Sequence, residues 1–411
     1  MKVHGDFVRI PFLLLGLSFI STASWGDIDA EVGLEARYFF KEGLFEQNKL
    51  HTSLSTEVTY QNDWGDNSVE VIGFGRYDQQ DAERSHADIR EASLTHVGNS
   101  WELKVGISKV FWGVTESRHL VDIINQTDAV ENLDGEDKLG QPMTKLSFEQ
   151  NWGTIDLFWL PYFRERTFAG KDGRLSAPLV VDTDDAKYES GAEEWRSDFA
   201  LRFSHYIGDF DFAISHFSGT SRDPELGFNN NPFNPKFLPA YYTIDQTGLE
   251  LQYIFDEWLF KFEGITNSGF DKRFSAAVFG FEYTQVGVFD SNADLGWLIE
   301  YLYDDRKEAA PHSFEQDVFA GWRYAFNDAD SSEILAGIIY DPETDEAIYS
   351  VEASKRLASD LKLNIEVRVF EGENAPDAQT QSIITALNDD QRKTASFQNE
   401  DYIQLELVKY F

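Results

Sequence analysis

Cysteine is absent from all 411 residues. An exported chain of this length without cysteine carries no disulfide framework, so hydrogen bonding and packing alone must hold its fold. Positive charge is scarce: 35 Lys and Arg stand against 72 Asp and Glu, a formal charge of −37. Nucleic acid is excluded as a partner by that balance, because its phosphates would be repelled. Long apolar runs are missing too. The one candidate, Ile10–Ile20, falls well short of the roughly twenty residues that a membrane-crossing helix needs. It follows Lys2 and Arg9 and leads into Ser21, Thr22, Ala23 and Ser24, the charged, apolar, small order of an export signal. Cleavage after Gly26, or after Ala23, leaves one mature domain over 27–411, with 1–26 as signal peptide. Nucleotide, zinc and hydrolase-elbow motifs are missing, as is the Asp/Asn alternation of a calcium loop around Asp134-Gly135. Neither cofactor nor metal is therefore expected.

Aromatic residues, by contrast, are plentiful: 34 Phe, 17 Tyr and 10 Trp. They recur in segments that alternate with period two. Leu50, Thr52, Leu54, Thr56, Val58 and Tyr60 share one face, as do Trp258, Phe260 and Phe262, and Leu295, Trp297, Ile299, Tyr301 and Tyr303. Lys261, Glu263 and Glu300 fall on the opposite side. Successive strand side chains point to opposite faces, so one face is apolar and the other charged. A soluble sandwich alternates in the same way, and two further features separate the readings. The segments run about nine to fourteen residues, where globular strands usually have five or six and a tilted membrane strand needs about nine to eleven. Tight turns, such as those at Gly98–Ser100 and Asn151–Gly153, alternate with the long connections Phe111–Pro142, Pro161–Arg196, Gly219–Gln246 and Glu371–Glu400. Short periplasmic turns alternating with long outer loops mark outer-membrane barrels. The expected fold is all-β: a closed, antiparallel, up-and-down transmembrane barrel of about eighteen strands, with sixteen as the other even count that fits. Its apolar face would meet outer-membrane lipid and lipopolysaccharide, and both termini would lie on the periplasmic side.

The last segment, Tyr402–Phe411, places Ile403, Leu405, Leu407 and Phe411 on one face. It resembles the C-terminal signature of Gram-negative outer-membrane barrels, departing from it at Lys409. The resemblance implies handling by the barrel assembly machinery through this strand. A second resemblance lies in Phe111-Trp112-Gly113, then Asp122, Asn125 and Asp128, then Leu139-Gly140-Gln141-Pro142-Met143. This stretch looks like a family of uncharacterised proteobacterial outer-membrane barrels with a Trp-Gly pair before an Asn- and Asp-containing loop. More broadly the chain looks like the eighteen-stranded alginate-export and substrate-specific porin class. That class implies polyanion passage along a strongly basic lumen, whereas the inferred lumen here carries both signs: Lys104, Lys145, Arg202, Lys261, Lys362 and Arg368 among the basic residues, Glu102 and Glu263 among the acidic ones.

A barrel of this size holds an aqueous channel unless loops fill it. The loop Phe111–Pro142 is too long for a hairpin, and Leu120, Val121, Ile123 and Ile124 are too apolar for solvent. We expect it to fold inward as a constriction, with Trp112, Glu116, Arg118, His119, Asp122, Asn125 and Asp128 as its candidate lining. Arg164 and Arg166 of the next loop, with Arg118 and Arg174, could converge as an anion-contacting fork; local pairing with loop acids such as Glu165 is the other arrangement. Passive, partly selective diffusion of small polar or anionic solutes follows, with a homo-oligomer left open. Two alternatives remain. One is a receptor or adhesin working through its long loops. The other is an acyl hydrolase using His216 and Ser218, a His-x-Ser pair on an outward face near the rim, with Asp245 or Gln246 to orient the imidazole.

Overall fold

The computed structural model describes residues 26–411 other than 178, 230, 232, 271, 308–309, 311, 313 and 373–392. Apart from Gly26, the expected export segment 1–26 lies outside the described residues, as does most of the last long loop. The strands are β1 Asp27–Phe39, β2 Leu50–Trp64, β3 Asn67–Asp78, β4 Ala87–Val97, β5 Trp101–Ser108, β6 Gln141–Gln150 and β7 Gly153–Leu160. The two-residue β8, Lys187–Tyr188, precedes β9 Asp198–Ile207 and β10 Phe210–Thr220. Then come β11 Glu225–Phe228, β12 Phe237–Tyr241, β13 Thr243–Phe255, β14 Trp258–Ser268, β15 Phe274–Gln285 and β16 Asp294–Asp304. The rest are β17 Val318–Ala325, β18 Glu333–Tyr340, β19 Ala347–Ala358, β20 Leu361–Glu371 and β21 Tyr402–Tyr410.

Eighteen of these form one sheet. Each pairs antiparallel with its neighbours along the chain, and the sheet closes where β1 meets β21, Glu31 opposite Tyr410 and Phe39 opposite Tyr402. Closure leaves no unpaired edge, which is the condition for a sheet to cross lipid. The remaining three, β8, β11 and β12, make a small separate sheet among the long loops. They escaped the sequence reading because two to five residues are too few to show a period. Two boundaries also differ from expectation. β10 runs on to Thr220 and β13 begins at Thr243, shortening the 219–246 connection.

The outward face is apolar, as lipid requires. Leu34, Leu54, Leu94, Val105, Ile214 and Leu249 project there with their side chains uncovered. Toward the short-turn end the outer face becomes aromatic: Trp258 lies against Phe281 and Tyr283, at 5.2 and 4.7 Å between ring centres, and Phe260 continues the row to Tyr253 at 6.5 Å. Amphipathic rings suit the boundary between acyl chains and water. Lys409 also points outward, near that end. Its ammonium pairs with Asp360 in the β19–β20 turn and lies 5.9 Å from the Phe411 ring centre, so a charge is carried at the rim rather than in hydrocarbon.

The inward face is not uniformly polar. On one side of the barrel, Phe158 and Leu160 of β7, Phe217 of β10, Val278 of β15, Leu298 and Leu302 of β16, and Phe319 of β17 point in and are buried. Strand β16 shows why in its sequence: Trp297-Leu298-Ile299 and Tyr301-Leu302-Tyr303 are apolar on both faces, the pattern of a strand covered on both sides. What covers the inner side is the loop after β5.

Candidate functional site

The loop between β5 and β6 enters the barrel. Its neck is drawn together by Asn125, whose Nδ2 donates to the carbonyls of Ser108 and Leu139 at 2.8 and 2.9 Å and whose Oδ1 accepts from Val110 N at 2.8 Å. One residue thus ties both ends of the excursion to its middle. The segment 126–139 then doubles back on itself: Leu139 N donates to Gln126 O, and Asp128 N to Asp137 O.

The apolar part of the loop fills the apolar part of the wall. Trp112, Val121 and Ile124 pack with Met143, Phe158, Leu160, Ala200, Phe217 and Ile244. Leu120 packs with Ala276, Val278, Leu298, Leu302 and Phe319. Each such side chain taken from water contributes roughly 1.5–3 kcal/mol. Ile123 flanks the first group.

Two carboxylates of the wall hold the loop by its backbone. Glu263 of β14 accepts from Val114 N at 2.6 Å, Thr115 N at 3.0 Å, Thr115 Oγ1 at 2.7 Å and Val121 N at 3.3 Å. Glu300 of β16 accepts from Glu116 N and Ser117 N, both at 2.8 Å, and from Ser117 Oγ at 2.5 Å. Bonds to an ionised acceptor are roughly twice as strong as neutral ones. Gly113 makes the approach possible. Its φ is +144°, and a Cβ there would sit 2.8 Å from His119 Nδ1 and 3.0 Å from Glu263 Oε1. The Phe-Trp-Gly triplet is therefore an entry corner: tryptophan into the core, glycine against the anchor.

The far part of the loop reaches the opposite wall. Arg76 of β3 pairs with Glu131 at 2.7 Å, and Arg84 donates to the Val130 carbonyl at 2.8 Å while bridging Glu35 and Asp78. Arg90 pairs with Asp128 at 2.7 Å. Arg90 is the extra residue of a bulge where the β3–β4 register shifts between Ile72 and Gly73, which turns both Arg90 and Glu91 inward. Further round, Asn132 donates to Glu366 and Asp134 pairs with Arg368 of β20. The loop is thus a strap across the lumen, pinned on both walls.

The other candidates fall around it. Glu116 pairs with Arg323 at 2.8 Å and lies 3.9 Å from Lys261. His119 lies 3.7 Å from Glu263 and edge-on to Phe111. Burial opposes its charging, but Glu263 and Asp122 outweigh that and hold its pKa above the ordinary histidine value. Asp122 pairs with Lys138 at 3.1 Å. Asp128 is buried among His86, Arg90 and Thr167. His86, Asp128 and Glu131 lie within reach of one ion, but Arg90 and Arg76 occupy the two carboxylates, and their charge works against a cation there.

The four arginines do not converge. Arg118 lies against His312, 2.8 Å from its Nε2, and over the Phe314 ring. Arg164 pairs with Asp88 at 2.7 Å, Arg166 with Asp223 at 2.8 Å, and Arg174 with Glu400 at 2.9 Å. Glu165 is taken instead by the Tyr188 hydroxyl. These partners lie far off in sequence, so the pairing was invisible there. The inward basic residues of the wall are neutralised likewise: Lys104 by Glu91, Lys145 by Asp156, Arg202 by Glu250, Lys261 by Glu282, and Arg368 by Glu352 and Glu366. Among the described residues no ion pair holds Glu31, Glu57, Glu70 or Glu102 on the inward face, or Glu136 or Asp137 of the loop; on the basic side Arg37 and Lys362 of the wall and Arg118 of the loop are likewise without one, Arg37 being bonded to Gln404 and Arg118 to His312. Negative charge is left in surplus. Asp134, Glu136 and Asp137 were not among the expected lining residues; the strap carries them inside.

His216 and Ser218 face outward on β10, as the alternation indicated. His216 Nδ1 lies 2.9 Å from Thr247 Oγ1 and its Nε2 4.0 Å from Asp245, while Gln246 is buried on the inner side, bonded to Asn267 and the Leu120 carbonyl.

No family model matches the chain, and neither does any curated protein. Solved structures do. The chain is similar to OccAB3 of Acinetobacter baumannii (11% identity, TM-score 0.50, 94% of this chain and 99% of that one). It is also similar to Wzi of Escherichia coli, an outer-membrane protein of group 1 capsule assembly described as a carbohydrate-binding barrel (9% identity, TM-score 0.52, 94% and 84%). A weaker likeness joins it to the outer-membrane channel DcaP of A. baumannii (9% identity, TM-score 0.44, 96% and 100%). The fold is that of a porin-like outer-membrane barrel. At these identities the likeness stops at the fold.

Proposed function

We propose that the chain forms an outer-membrane diffusion channel for small polar solutes, narrowed by the strap 111–142. The carrying observation is the strap itself: a loop anchored on opposite walls by Glu263, Glu300, Arg76 and Arg90 that crosses the lumen without any separate plug domain among the described residues. A strap of this kind narrows a pore and sets which groups a passing solute meets. Because Arg164 and Arg166 are paired with carboxylates while Glu136 and Asp137 make no ion pair among the described residues, the solutes favoured are neutral or cationic rather than the anions that the arginine count suggested. Planar-bilayer recording tests the reading. Stepwise, ohmic conductance from the purified chain supports it, with larger steps from Glu263→Gln/Glu300→Gln as the strap loosens. Silence from correctly folded protein, judged by heat-modifiable migration, overturns it.

A further inference from the structure

A cavity of about 620 Å³ opens among the long loops, lined by Tyr162, Glu165, Asp184, Tyr188, Glu193 and Glu194. Its floor includes Leu139 and Thr167. Leu139 belongs to the strap, and Thr167 donates to the strap's Asp128 at 2.8 Å, so the cavity sits directly above the constriction. Its volume is in the range of small-molecule sites, which run from about 300 to 1,000 Å³. The lining is built for one sign of charge. Arg164, its basic member, is turned aside to Asp88 and the Gly140 carbonyl. Glu165 is spent on the Tyr188 hydroxyl, while Asp184, Glu193 and Glu194 make no ion pair among the described residues. Burial, with Glu194 and Asp184 adding to it, pushes the Glu165 pKa up against that hydrogen bond, so the carboxylates feel one another across the space. Tyr162 and Tyr188 supply aromatic wall: Tyr162 is held edge-on to Trp195 at 4.9 Å, and Tyr188 is stacked on Tyr241 at 5.4 Å. Carboxylates beside fixed aromatic rings suit a cation that carries hydrocarbon. Below, Asp134, Glu136 and Asp137 continue the negative charge into the lumen.

We propose that this cavity is an entry vestibule that binds organic cations, amines or guanidines on a short carbon chain, before they pass the strap. The proposal rests on the channel reading for the passage and on the cavity alone for the binding. Spermidine is the probe and glutarate, of opposite charge, the control. The variant is Asp184→Asn/Glu193→Gln/Glu194→Gln, all in loops outside the barrel wall. In planar bilayers, spermidine should block the potassium chloride current from one side at a concentration at least tenfold lower for the native chain than for the variant, while glutarate leaves the current unchanged. Equal block of native chain and variant, or equal block by glutarate, overturns the vestibule. Should neither chain conduct, the channel reading falls, and calorimetry of spermidine binding to the full chain in detergent decides the vestibule. Binding weakened at least tenfold in the variant supports it; no binding, or binding unchanged in the variant, overturns it.

Discussion

Gly113 shows how much a single position can fix. Its left-handed backbone and the absence of a Cβ let the chain turn within reach of Glu263, and any side chain would push on the anchor carboxylate or on His119. Gly113→Ala should therefore leave the barrel folded while loosening the strap, read as noisier and larger single-channel current. Unchanged current noise and step size would show that the contact does not position the loop. Asp137 is one of several strap acids whose pKa is raised, with Asp122, Asp134 and Glu136. Burial, then Glu131 and Asp134, push its pKa up to about 7. Its folded-state pKa is thus above the unfolded value, so between roughly pH 4 and 7 the folded state binds the extra proton and stability falls as pH rises. The effect on permeation has the opposite sense. As pH rises through 7 the carboxylate charges, and cation preference should increase between pH 5 and 8. Asp137→Asn should flatten that profile; an equally steep profile in the variant would assign the effect to another group.

At the scale of the element, the strap is held by apolar packing as well as by hydrogen bonds. Ile124 is fully buried between the strap and the walls of β6, β7, β10 and β13. Ile124→Ala removes that packing and should cost about 2–5 kcal/mol of local stability. Limited proteolysis of the strap reads the loss; resistance equal to that of the native chain would place the anchoring elsewhere. Much of the element-level structure was legible beforehand. Eighteen alternating segments correspond to the eighteen wall strands, because lipid on one side forces period two along strands of eight residues or more. The inward course of the strap was legible from Leu120, Val121, Ile123 and Ile124, too apolar for water. Its two anchors were not: Glu263 and Glu300 read as ordinary lumen charges, since nothing local in β14 or β16 says that a backbone 149 and 184 residues upstream, respectively, will dock there. The doubly apolar face of β16 was the available signal, and the expectation of a polar lumen masked it.

Over the whole molecule, the sign of the lumen depends on pairing rather than on composition. The basic and acidic wall residues are both visible in the sequence, but which ones cancel is decided by the register across the wall, as when Lys145 falls beside Asp156 on the next strand and Arg202 reaches Glu250 two strands away. The surplus left over is acidic. In a salt gradient of potassium chloride the reversal potential should show potassium passing more readily than chloride. The preference should shrink as salt rises, because screening shortens the reach of exposed charge to about 3 Å at 1 M. Chloride preference at low salt would contradict the assignment of free charge.

The anchorage of the strap has a further consequence. Glu263 and Glu300 grip mostly amide groups, and every residue except proline offers the same amide. The rest of the fastening is done by Gly113, the buried Trp112, Leu120, Val121 and Ile124, Asn125 at the neck, and Asp128, Glu131, Asn132 and Asp134 on the far wall. Glu136 and Asp137, which make no ion pair among the described residues, can therefore be exchanged without unseating the loop, which makes the barrel a frame whose filter is replaceable: retuning what passes needs new side chains on an unchanged backbone, not a new wall.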